Sequence, residues 1–148
     1  MVTKVTKAKL IENVYENFFD VVKSYDSKFS KIIFPAFPDI ELATVGSYPI
    51  IVLNSPVFRT EQKTMNRTTN EGRITFEIYT TSARSKDQYS DLLKNAIETN
   101  KGTLADNGIH QVFEDVSIDD NVVYGKVKVH SKQITLNFVV YTTKTFAY

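Results

Sequence analysis

Two histidines, His110 and His130, carry side chains suited to proton transfer or metal binding, but they form no His-x-x-x-His pair. Both fall in segments with strand character, where an exposed or edge position is the expectation. Four carboxylates, Glu114, Asp115, Asp119 and Asp120, crowd one stretch and could draw a divalent ion. They lack the Asp-x-Asp-x-Asp-Gly order of a calcium loop, so a solvated turn is the expected reading. No Gly-x-Ser-x-Gly elbow is present, and Ser24 and Lys28 miss the Ser-x-x-Lys spacing. With no cysteine, the chain has no thiolate nucleophile, no disulfide and no Cys-based zinc site. The expectation is a chain that is not an enzyme and uses no cofactor and no metal.

One further group has the right chemistry for contact rather than catalysis. Arg59, Lys63, Arg67 and Arg73 stand among Phe58 and several Asn and Thr residues and could meet a phosphate backbone or a protein surface. Glu61 and Glu71 interrupt the positive charge, which favours a solvated or protein-binding loop. Over the whole chain, 18 basic residues face 17 acidic ones. So balanced a charge gives no long-range pull toward nucleic acid or an anionic membrane. The first ten residues place lysines among polar residues, and nowhere do about 18 apolar residues run together. Neither a secretion signal nor a membrane span is expected. A length of 148 residues fits one domain, 1–148, that buries its own core.

The elements that must position these residues read as α+β. Leu10, Val14, Phe18, Val21, Val22 and Tyr25 recur every three or four residues, which predicts an amphipathic helix over 6–24. Ile11, Tyr15 and Phe19 widen its apolar stripe. Pro35 and Pro38 forbid helix and central strand alike, so the stretch through Gly46 reads as a surface loop. Tyr48–Asn54 reads as a buried strand stopped by Pro56. From Arg59 to Gly72 Met65 is the only clearly apolar residue, which leaves a hairpin tip or a loop that orders on a partner. Ile74, Phe76 and Ile78 alternate with Arg73, Thr75, Glu77 and Tyr79 as a strand with one buried face. Ser85-Lys86-Asp87-Gln88 has the spacing of a capping box, and a second helix follows to Asn100, packed across one sheet face. Ile109–Ile118 reads as a strand and Asp119-Asp120-Asn121 as a turn. Val123, Val127 and Val129 occupy odd positions, whereas Ile134, Leu136, Phe138 and Val140 occupy even ones. Either a turn at His130-Ser131-Lys132 or a bulge explains the change, and the turn is the expectation. The fold class is thus a mixed, mostly antiparallel β-sheet with an N-terminal helix and a second helix on one face.

The strand Tyr48-Pro49-Ile50-Ile51-Val52-Leu53, the alternating strand Arg73–Tyr79, the helix over 82–100 and the strand Gln133–Tyr141 together resemble tail terminator proteins of long-tailed bacteriophages. The related tail-completion and head-tail joining proteins look similar. The resemblance covers about Leu10 to Tyr141 and is one of element order, without an invariant motif. It implies a structural protein of the virion that caps the tail tube as a hexameric ring. It also implies that the ring stops tube growth and presents a surface to the head connector or neck. Implied partners are the chain itself, the tail tube protein and the connector, with DNA passing through the ring unread and no membrane involved. The implied location is the neck region of the virion tail, after assembly in the host cytoplasm. Arg59, Lys63, Arg67 and Arg73 would then be subunit or tail-tube contacts, and Phe146 and Tyr148 C-terminal anchors. A rival expectation is a small binding module or enzyme with a pocket between the second helix and the Pro-rich loop, lined by Tyr48, His110 and Glu114.

Overall fold

A computed structural model of the chain describes residues 5, 6, 8–35, 48–62, 67–124 and 127–143. Helix α1 spans Leu10–Tyr25, with Glu12 in its first turn and Lys23 in its last, each at the end where the helix dipole favours its charge. Asp26 ends it, its carboxylate accepting from the Lys28 amide at 2.9 Å as the chain enters a 3₁₀ turn. Val14, Phe18, Val21 and Val22 are buried as the spacing predicts. Ile11 stays 54% exposed, and Tyr15 and Phe19 stack at 5.8 Å with Lys23 over the Phe19 ring. Two asparagines are also buried on this helix. Asn13 accepts from the amide and hydroxyl of Thr6, and Asn17 donates to the Asn13 carbonyl at 2.7 Å.

Strand β1 (Ile33–Phe34) pairs in parallel with β2 (Ile50–Leu53), which runs antiparallel to the far end of β4 (Arg67–Thr80). β3 (Val57–Gln62) pairs with the near end of that same edge of β4, so β2 and β3 are two pieces of one track interrupted at Asn54-Ser55-Pro56. Pro56 has no N–H to give the ladder, and the Asn54 amide makes the last bond, to the Thr75 carbonyl, before the break. β6 (Val127–Thr143) covers the other edge of β4 along its full length, and β5 (Ile109–Tyr124) lies outside β6. The sheet order is β1-β2-β4-β6-β5, mixed and mostly antiparallel.

The chain leaves β4 through a short turn into helix α2 (Ala83–Thr99). The N-cap is Ser82, not Ser85: the Ser82 hydroxyl accepts from the Ser85 amide at 3.4 Å. Thr80 fixes the turn by donating to the Ser82 carbonyl at 2.7 Å, which starts the helix ahead of the Ser85–Gln88 spacing. A short helix α3 (Lys101–Asp106), absent from the sequence expectation, follows, and beyond its cap Asn107 stands Gly108, whose φ of 99° suits glycine.

Helices α1 and α2 pack on one face of the sheet. Ile74, Phe76 and Ile78 from β4 and Ile134, Leu136, Phe138 and Val140 from β6 meet Phe18, Leu93 and Ile97 from the helices. Phe138 lies 5.3 Å from the Phe18 ring and 5.6 Å from Phe58. Phe58, Gly72 and Phe138 are cross-strand neighbours on β3, β4 and β6. Without a Cβ at Gly72, the two rings meet over the middle strand. All four residues of β2 are buried, so its side chains are covered on both faces and its sequence is continuously apolar rather than alternating.

Two turn expectations are corrected. Asp119-Asp120-Asn121 lies inside β5, paired with Lys132-Ser131-His130 of β6, and no turn occurs at His130–Lys132. β6 supplies the backbone partners of this stretch, and lysines from α2 and β6 meet the Asp119 carboxylate. The parity change in β6 is no bulge either, since its pairing with β4 is regular from Thr143 to His130. The buried side of the strand changes instead: Val127, Val129 and Ser131 are buried on one face and Ile134 onward on the other. The polar stretch from Arg59 to Gly72 falls largely in β3 and β4, which pair antiparallel, and residues 63–66 lie outside the described residues. The Pro-rich loop from 36 to 46 also lies outside them.

Candidate interaction surface

The sheet face away from the helices is built from the odd-numbered residues of β3, β4 and β6. Register sets them in rows across four strands. Val57, Arg73, Asn137 and Phe113 form one row, and Arg59, Glu71, Val139 and His110 the next. Between these rows and the start of β5 lies a hollow of about 530 Å³, lined by Val57, Arg59, Glu71, Arg73, Phe113 and Asn137 among others. β5 is raised along its rim by two irregularities, between His110 and Phe113 and between Glu114 and Val116. Gln111, in the first, takes a φ of 55°, the left-handed region that bulges allow.

Charge in the hollow is mixed. Arg73 reaches across β6 to Asp115 at 3.5 Å, while Arg59 makes no ion pair among the described residues. The Asn137 side-chain oxygen is buried and has no hydrogen-bond partner among them. Val57, at 72% exposure, and Phe113, at 53%, are apolar residues left open on this face. His110 lies at the hollow's far side, its ring 5.8 Å from Tyr141.

The remaining carboxylates are spread along β5. Lys94 on α2 holds Glu114 at 3.2 Å, and Lys86 holds Asp119 at 2.8 Å with Lys132 behind it at 3.9 Å. The bond from Lys86 and the charges of Lys132, Lys86 and Lys94 lower the Asp119 pKa below the usual carboxylate value, against a smaller opposing effect of burial. No cluster of three or more His, Asp or Glu side chains among the described residues could hold a metal ion. The acidic stretch is therefore a charged sheet edge rather than the solvated turn expected from sequence.

Of the four basic residues singled out in the sequence, the structure brings Arg59 and Arg73 into one hollow. The backbone of Arg67 pairs with Thr143, but its side chain is outside the description, as are Lys63, Phe146 and Tyr148. The pocket expected from Tyr48, His110 and Glu114 does not form. Tyr48 precedes β2 near one side of the sheet, while the other two are on β5 at the opposite side, and they point to opposite faces. Glu71, Asn137, Val57 and Phe113 were missed. Glu71 and Asn137 share the odd parity of Arg73, and extending the alternation of β4 would have found Glu71.

No protein-family model matches this chain, and no curated protein sequence does. A solved structure does share its fold. It is a chain of the "Virion of native gene transfer agent (GTA) particle", with a TM-score of 0.54 and 8% sequence identity. The likeness covers 84% of this chain and 91% of that one. At such identity the likeness is one of backbone fold.

Proposed function

We propose that this chain is a structural component of a tailed, virus-like particle, one that closes into a ring on the last ring of the tail tube. The ring stops tube growth and presents its outer surface to the head connector or neck. The observation that carries this reading is the fold likeness to a virion chain, which spans nearly the whole of both chains. A terminator needs surfaces rather than a reacting group, and the described residues offer an open sheet face with two apolar side chains beside charged ones. In this reading the copies number six. The protein is not an enzyme, needs no cofactor, and lets DNA through the ring without reading it. Its partners are the tail tube protein and the connector, and its place is the neck of the virion. No described helix is long and apolar enough to cross a membrane.

Electron microscopy of particles produced without this gene tests the reading. Overlong tail tubes lacking heads support the terminator role. Tails of normal length beside separate filled heads move the protein to head-tail joining, and intact particles refute both roles.

A further inference from the structure

We propose that copies of this chain join head to tail through two sheet edges, the outer edge of β5 over 113–121 on one copy and the outer edge of β3 on the next. The inference rests on the ring reading above and says which surfaces build it. Among the described strands β5 pairs only with β6, and β3 only with β4. Each therefore turns a row of backbone N–H and C=O groups outward, a template for another strand. Every residue from Phe113 to Asn121 is exposed. Three of them, Phe113, Val116 and Ile118, are large and apolar and share the helix-free face. Edge strands usually carry lysine, proline or a bulge against chance pairing. From Val116 to Tyr124 β5 has no lysine and no proline, and its register is regular.

Strand direction supports this join. β3 and β6 run opposite to β4, and β5 opposite to β6, so β5 and β3 point in opposite senses. Rotation about an axis along the strands preserves sense. It therefore lays β5 of one copy antiparallel to β3 of the next, in an ordinary ladder. Because the two edges differ, the join is head to tail and repeats from copy to copy, which builds a ring when the rotation per copy closes.

Charge decides against the two-fold alternatives. Pairing β5 antiparallel with itself would lay the acidic stretch from Glu114 to Asp120 alongside its own copy, and like charges close across strands destabilise a sheet. Pairing β3 with itself would bring Arg59 toward Arg59. Head-to-tail pairing instead sets Arg59 against Asp120. Both lie on the helix-free face, and neither makes an ion pair among the described residues.

Because the chain has no cysteine, introduced thiols report the contact cleanly. Arg59→Cys and Asp120→Cys proteins are treated, separately and mixed, with a short bis-maleimide that spans directly opposite and diagonal strand positions, about 5–8 Å. The same treatment is given to the double variant, in purified protein and in assembled particles, with native mass spectrometry of the uncrosslinked protein in parallel. The expected result is no product from either single variant alone, dimers from the mixture and a ladder of multiples from the double variant. Dimers from Asp120→Cys alone would establish two-fold β5 pairing and overturn the proposal. A ring seen by mass spectrometry or in particles without cross-links in the mixture overturns the edge assignment and leaves the ring reading standing. Absence of both ring and cross-links, in solution and in particles, overturns both.

Discussion

Replacing Gly72 by alanine tests whether the aromatic row across β3, β4 and β6 organises the arm that carries the candidate surface. A Cβ at Gly72 would lie 2.5 Å from Phe138 Cε2, closer still to Phe138 Cζ, and 2.8 Å from Phe58 Cε1. Phe138 cannot yield easily, because its ring is buried and already meets Phe18 at 5.3 Å and Phe58 at 5.6 Å. Overpacking of this kind costs about 1–3 kcal/mol, and loosening two aromatic pairs adds about 0.5–1.5 kcal/mol each. Against this, removing a strand glycine returns about 0.5–1 kcal/mol of backbone entropy. The net expectation for Gly72→Ala is a loss of about 3 kcal/mol. For a chain of this length that lowers Tm by about 6–12 °C and the urea midpoint by about 1.5 M. Urea and thermal unfolding followed by far-UV circular dichroism read both quantities. The cost should shrink when Phe138→Leu is already present, because the shorter side chain leaves room, a non-additivity that a double-mutant cycle measures. A Gly72→Ala protein as stable as the parent would refute the account of Gly72 as the gap through which the rings meet.

Other expectations follow from the same packing. Asn70 accepts from the Thr60 hydroxyl at 2.8 Å and donates to the Val140 carbonyl and the Thr142 hydroxyl at 3.1 Å each, so Asn70→Ala should cost about 2–3 kcal/mol in denaturant titrations. An unchanged midpoint would show that these bonds do not tie the β3–β4 arm to β6. The Tyr15 hydroxyl is buried with no partner among the described residues, and burial raises its pKa to about 12. Tyr15→Phe should therefore hold or raise stability at neutral pH. It should also remove part of the loss that the parent shows as pH climbs from about 10, where the unfolded phenol ionises, to about 12. A variant clearly less stable at pH 7 would mean that the hydroxyl is bound. Asp119 has its pKa lowered by Lys86 and Lys132, so its contribution is present above the ordinary Asp value near pH 4 and is lost as pH falls through the lower folded value. The gap between parent and Asp119→Asn should stay under about 1 kcal/mol at pH 7, given the exposure of the carboxylate, and should close in acid. A gap that widens below pH 4 would contradict the ion pair.

Much of the local structure was written into the chain. The three- and four-residue spacing of Leu10 to Tyr25 fixed α1, since an apolar stripe of that period can be buried on one face only as a helix. The alternation of Ile74, Phe76 and Ile78 identified β4 and which of its sides is buried. The continuous run Ile50–Leu53 announced a strand covered on both sides. The basic residues Arg59 and Arg73 were likewise legible as surface residues, because that stretch has too few apolar side chains to build a core.

What the tertiary structure alone decided was where strands continue and what lies across them. Asp119-Asp120-Asn121 has turn composition, yet His130-Ser131-Lys132 of β6 pair with it as strand, and Lys86 and Lys132 meet the Asp119 carboxylate there. Two largely polar segments, 67–72 and 117–121, extend β4 and β5 because β6 supplies their backbone partners. No local pattern reports that pairing. The hollow that joins Arg59, Arg73, Asn137 and Phe113 draws on four strands whose register is set by the whole sheet. The two open edges follow from sheet order, which the sequence of elements does not encode. Local periodicity reports which side of an element is buried, and only the assembled sheet determines which edges remain free.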